Sequence, residues 1–200
     1  MRGFARLLLS LTISCGALVR AQEKPPEKPP ATPTVPTAGA RLEFLDEVSF
    51  YEQRFLRLAE AIPAEKFGWR PAEGVRSIGE VYMHVVAANY GIARTLGTQP
   101  PAGFDAKALM ASAGDKAKVI QGLKDSFAHF HSAILVIKDS DLDNSQKMFG
   151  RQTTVRGAFI VLAGHFGEHL GQSIAYARQV GIVPPWTEER QRQEAEKSKQ

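Results

Sequence analysis

The sequence predicts an all-α protein, a four-helix bundle with long crossover connections. Three observations carry that expectation. Four long segments repeat apolar side chains at alternating four- and three-residue spacing, the period of a buried helix seam. Capping or breaking residues bound these segments. No segment shows the two-residue alternation of a half-buried strand, and no internal repeat is detectable.

In chain order, the first 21 residues read as a secretory signal peptide. Arg2 and Arg6 precede an apolar run over residues 7–19, and Val19-Arg20-Ala21 offers small residues at a peptidase site. The run is too short to favour a transmembrane helix. Cys15 raises the alternative of lipid attachment, but the leucine of Leu11-Thr12-Ile13-Ser14-Cys15 stands one residue too far back for a lipoprotein box. The expectation is therefore an exported protein, periplasmic or secreted, cleaved after Ala21 and without a membrane span thereafter. Residues 22–40 are Pro-rich and charged, which predicts an extended tether.

The bundle is expected over residues 41–186. Its first helix places Phe44, Val48, Tyr51, Phe55, Leu58 and Ile62 on one seam and stops at Pro63. After a loop over 63–76, Ser77-Ile78-Gly79-Glu80 reads as a capping box that opens a second helix running to about Leu96. Ile78, Tyr82, Val85, Asn89, Ile92 and Leu96 form its seam, and His84 falls at the edge of that face. Residues 97–114, rich in Pro and Gly, are long enough for a crossover. The third helix, from Asp115 to about Lys138, carries Ile120, Leu123, Phe127, Phe130, Ile134 and Ile137. His129 is expected in solvent, while His131 flanks the seam and is the one rival candidate as a ligand. Asp139-Ser140-Asp141-Leu142-Asp143 has the opening of a calcium loop but lacks its turn glycine and closing glutamate, so it reads as an acidic turn. The fourth helix starts at Thr153 or Thr154 and stops at Gly181, ahead of Pro184-Pro185. Residues 187–200 are almost wholly polar or charged and are expected to form a frayed tail.

Composition excludes some classes. The whole chain has 25 basic and 21 acidic residues. The signal segment holds three arginines and no acid, which leaves 22 basic against 21 acidic residues after cleavage. No basic patch then argues for nucleic acid. The one cysteine lies in the signal segment, so the mature chain has neither a disulfide nor a thiol nucleophile.

The fourth helix carries the chemistry. Its stripe runs through Val155, Phe159, Leu162, Phe166, Ser173 and Ala177, and His165, His169, Gln172 and Tyr176 lie along one edge of it. Histidines four apart project side by side, so one ion can reach both rings. Gln172 and Tyr176, farther along the same edge, are placed to orient a ligand or support the rings. His165-Phe166-Gly167-Glu168-His169 also matches the His-x-x-Glu-His of inverzincin proteases. Those proteases need a distant acidic ligand, and Glu168 projects about 100° from His169, away from the edge where an ion is expected.

Trp69-Arg70-Pro71, Arg76-Ser77-Ile78-Gly79-Glu80 leading to His84, His165-x-x-x-His169-x-Gly171-Gln172, and Tyr176-x-Arg178-x-x-Gly181-x-x-Pro184-Pro185 together resemble the DinB/YfiT-like metal-binding four-helix bundles. The resemblance spans residues 41–186. It implies one divalent ion held by His84, His165 and His169, with a position left open for water, and often a homodimer. Where many relatives have a further histidine, this chain has Glu168. Three imidazoles suit zinc or nickel first, and iron or copper as well. The family includes transferases and isomerases that use bacterial thiols. Two functions follow as expectations: an exported metal-dependent enzyme acting on a small molecule, of hydrolase or thiol-transferase type, or a non-catalytic metal- or ligand-binding module.

Overall fold

The computed structural model describes residues 35–199. The expected signal peptide and the tether as far as residue 34 lie outside the described residues, and residues 35–39 have neither helix nor strand. The elements that follow are α1 (Ala40–Ala61), α2 (Ile78–Thr95), α3 (Ala106–Ala111), α4 (Lys116–Val136), β1 (Ser145–Met148), β2 (Arg151–Thr154), α5 (Val155–Gln179) and α6 (Pro185–Lys197).

The four long helices α1, α2, α4 and α5 form the expected bundle. The seams predicted from spacing are its core: Phe44, Val48, Phe55 and Leu58 of α1, Tyr82 and Val85 of α2, Leu123, Phe127 and Phe130 of α4, and Phe159, Leu162 and Phe166 of α5 are buried. Phe44 stacks on Phe159 with centroids 4.3 Å apart, and Phe166 meets Phe127 at 5.6 Å and Phe130 at 5.7 Å. Asn89, polar on the seam of α2, donates to the Ser126 hydroxyl at 3.1 Å. A buried amide is tolerable only with such a partner.

Topology matters for the site. Helix α1 packs mainly on α4 and α5, and α2 packs mainly on the same two. Helices that follow one another, α1 and α2 or α4 and α5, are thus not principal neighbours, and the connections between them cross the bundle. The expected crossover over 97–114 instead joins two adjacent helices, α2 and α4, and contains α3, capped by Asp105.

The entry to α2 explains two of the sequence motifs. Ser77 and Glu80 form a reciprocal capping box, with Glu80 N–H donating to Ser77 Oγ at 3.3 Å and Ser77 N–H donating to Glu80 Oε2 at 2.6 Å. The Ser77 N–H, foremost, holds the Glu80 carboxyl below the usual carboxylate range. Arg70 of the upstream motif donates to the same carboxylate at 3.2 Å. Gly79 is required by space: a Cβ there would stand 1.8 Å from the carbonyl oxygen of Ala113.

Two expectations are corrected. A hairpin, β1 paired antiparallel with β2, precedes α5 where no strand was expected. Its eight residues are mostly polar, which leaves no apolar alternation to read. The residues after 186 are not a frayed tail: α6 continues to Lys197. Pro185 supplies a favourable first turn, and the Arg54 guanidinium lies over Trp186 at 4.5 Å. Arg57 pairs with Glu189, tying the same helix to α1. The polar turn after α4 has a structural task, since Asp139 binds the buried Arg41 at 2.8 Å. No helix among the described residues is long and apolar enough to cross a membrane.

Candidate metal centre

Helix α5 is rotated by its own core residues. With Phe159, Leu162, Phe166, Ser173 and Ala177 buried, the edge carrying His165 and His169 must face the groove toward α2. There His84 meets them. One ring nitrogen from each of the three histidines lies within 4.8 Å of the others. Ring centroids are 4.6 Å apart for His84–His169 and His165–His169, and 5.6 Å for His84–His165.

A relay of side chains fixes His169. Its Nδ1 lies 3.1 Å from Gln172 Oε1, and Gln172 Nε2 donates to the Tyr176 hydroxyl at 3.1 Å. The Tyr176 ring packs edge-on against Trp69 at 5.6 Å. With the amide oriented by Tyr176, its oxygen takes the proton of Nδ1 and leaves Nε2 of His169 as the free lone pair. Supporting the far nitrogen in this way is how metal-binding histidines are ordinarily held.

Two observations test whether the residues fit a divalent ion. Burial, then the charge of Arg76, pushes His84 down to about 4; burial and the adjacent imidazoles push His165 down to about 4. Both rings are therefore neutral near pH 7, the form that ligates. Nδ1 of His165 is also buried without a hydrogen-bond partner, as is Nε2 of His129, but of the two only His165 stands in the group of converging histidines. The donor set, three imidazoles, suits a transition metal and leaves coordination positions free.

The three rings line a cleft of about 1110 Å³, large enough for a small organic molecule. The hairpin forms part of its lining, through Lys147, Phe149 and Arg151. Glu168 lines it too, and its charge acts on His84. Arg76 is a further lining residue. It was visible in the sequence only as part of the capping motif, and the Phe149-Gly150 dipeptide was the one available sign of a hairpin turn.

The other histidines stand apart. His131 pairs with Glu52 on α1 at 3.0 Å. His129 is not in open solvent as expected: it is half-buried, with its ring 5.1 Å from that of Tyr90.

Fold and site define a helical-bundle protein with a three-histidine cleft between two of its long helices. The family profile described as the DinB superfamily matches residues 47–173, and the chain belongs to that superfamily. Among solved structures, a DinB-like protein from Bacillus cereus is similar over 71% of this chain and 93% of its own, with a TM-score of 0.62 and 21% identity. YfiT from Bacillus subtilis is similar over 76% of this chain and 94% of its own, with a TM-score of 0.56 and 12% identity. That protein is described as a probable metal-dependent hydrolase with an unusual four-helix bundle topology. At these identities the likeness concerns the fold. No protein of curated function matches the sequence significantly.

Proposed function

We propose that this protein is a metal-dependent hydrolase acting on a small molecule in the cleft between α2 and α5. The observation that carries the reading is the convergence of His84, His165 and His169, with ligand atoms within 4.8 Å, on the lining of a cleft with room for a substrate. The description of YfiT supports it. A divalent transition ion held there, zinc or nickel before iron or copper, supplies Lewis-acid polarisation and positions for water and substrate.

The chain's own residues do the remaining work. Gln172 and Tyr176 keep His169 in one tautomer and one orientation. Glu168, the one carboxylate among the described residues that line the cleft, is the proton acceptor. In hydrolysis the water oxygen bonds to the electrophilic centre and the bond to the leaving group breaks. The water proton, held at a Glu168 carboxylate oxygen, passes to the leaving group.

We also propose export with cleavage after Ala21, on the order of Arg2 and Arg6, the apolar run and the Pro-rich tether. Mass spectrometry of the protein from its native host tests this, and an intact Met1 on a cytoplasmic species would overturn it.

The function is tested on tag-free protein spanning residues 22–200. Elemental analysis should give one ion per chain, and a panel of chromogenic esters, lactones, amides and phosphoesters should include a substrate. Glu168→Gln should keep the ion and lose turnover by about 100-fold or more. An absence of stoichiometric metal overturns the proposal. Full metal occupancy without turnover across the panel supports the non-catalytic binding module instead.

A further inference from the structure

The same cleft carries charges that a three-histidine centre does not use. Arg76, on the approach to α2, and Lys147 and Arg151, from the hairpin, all line it, against the single carboxylate of Glu168. Among the described residues, none of the three cations has a carboxylate partner. Arg70 and Arg156, outside the lining, are paired with Glu80 and Asp143. Cations left unpaired in a concave site focus their field into it and raise the local concentration of anions. Arginine adds a fork of donors matched to carboxylate and phosphate oxygens.

An apolar wall stands beside the charges. Phe149 is 59% exposed and Ile160 is 73% exposed, yet both line the cleft. The Phe149 ring lies 5.7 Å from that of His165. Phe149 and Gly150 form the hairpin turn with φ of 47° and 79°. A turn with both central φ values positive favours Asn, Asp or Gly first, so phenylalanine is strained there. An exposed aromatic held in a strained conformation beside the histidines follows no rule of hairpin stability. It does follow the pattern of strain kept at binding sites.

We propose that the cleft takes a small organic oxyanion with an apolar body, its charged end held by Arg76, Lys147 and Arg151 and its body against Phe149 and Ile160. This names the substrate class of the hydrolase proposed above and rests on that reading in taking the cleft as the substrate site. The ion contributes further positive charge when bound, but the preference for anions belongs to the side chains and exists without it.

The test is calorimetric titration of the residue 22–200 protein, metal-free and zinc-loaded, with 4-phenylbutyrate, its neutral amide, and butyrate. The acid should bind at least tenfold more tightly than the amide in both forms, and more tightly than butyrate by a similar factor. The combined variant Arg76→Gln, Lys147→Gln, Arg151→Gln, all at exposed positions, should fold and lose most of the preference for acid over amide. Phe149→Ser should weaken acid and amide alike and leave butyrate unchanged. Equal affinity for acid and amide, or a preference that survives the combined variant, overturns the proposal. So does a preference seen only with zinc, which would mark an anion bound to the ion alone. Zinc stoichiometry on the same samples separates the two readings. One zinc with no acid preference removes this inference and leaves the hydrolase; an acid preference without zinc binding does the reverse.

Discussion

Helices α4 and α5 each carry two histidines, and the pairs behave differently. His165 and His169 are four residues apart, about 40° around the helix, so their rings share a side. His129 and His131 are two apart, about 200° around, and face different helices. His131 meets Glu52 of α1, and His129 meets Tyr90 of α2. Each ring on α4 has a neighbour of its own, whereas the two on α5 share His84. A histidine's prospects as a ligand therefore depend on what converges with it, and its burial alone does not distinguish the pairs.

The strongest way to break this contrast is to remove the ring common to both close contacts. His169→Ala should lower metal affinity by more than about 100-fold, because two imidazoles hold zinc poorly. Thermal unfolding should show the same loss. Wild type should gain roughly 4 kcal/mol at metal concentrations a thousandfold above Kd, and the variant should gain almost nothing. Equal metal content in the two proteins, by elemental analysis after tag removal, would sink the assignment.

A smaller effect sharpens the role of the relay. Gln172→Ala removes the acceptor at His169 Nδ1 without removing a ligand. Loss of a support of this kind ordinarily costs 10- to 100-fold in metal affinity. Competition with a chromophoric chelator measures it. An unchanged Kd would mean that Gln172 and Tyr176 serve only helix packing.

Acid should weaken the metal-free protein through His84 on α2 and His165 on α5. His84 and His165 fall from an ordinary 6.5 to about 4 in the fold. Between those values the unfolded chain takes up protons that the folded site refuses. The contribution of these rings to stability is therefore full above about pH 6.5 and lost progressively as pH falls toward 4. Urea midpoints across that range should decline in wild type, and the decline should be shallower in a His84→Gln, His165→Gln variant. Identical slopes would assign the acid sensitivity elsewhere. If the proposed ion is bound, protonation of the same imidazoles should release it.

How much of this was legible depends on whether a feature is local. The seam of α5 through Phe159, Leu162 and Phe166, and the caps at Ser77 and Thr154, are set within a few residues, and their periodicity and hydrogen bonds follow from neighbours in sequence. The edge carrying His165 and His169 came with that seam. His84 did not: spacing gives a helix its face, but which helix that face meets was supplied by family resemblance. The cleft residues of the hairpin were hidden for a related reason. Lys147, Phe149 and Arg151 lie on a short, mostly polar ribbon that buries only Met148 among its strand residues, brought to the site by its place before α5. Helix α6 was missed because its hold comes from Arg54 and Arg57 on α1, far away in the chain.

The smallest expected effect completes the contrast, and it is informative because it should be small. His131→Ala deletes a half-buried ring that touches Glu52 at 3.0 Å. If convergence defines the centre, metal stoichiometry and Kd should match wild type, since His131 is not among the three histidines that converge. Stability should fall by about 0.5–1 kcal/mol, the scale of one partly exposed pair or hydrogen bond. The loss should be the same with and without zinc. A metal-dependent loss would show that α4 feeds into the site through the bundle core, where Phe130, beside His131 in sequence, packs on Phe166, beside His165. Comparing His131→Ala with His131→Gln separates the two, because glutamine can keep a hydrogen bond to Glu52 while removing the imidazole. If zinc affinity falls in both variants by more than about threefold, a change of roughly 0.6 kcal/mol, the two pairs of histidines are coupled and the division between them fails.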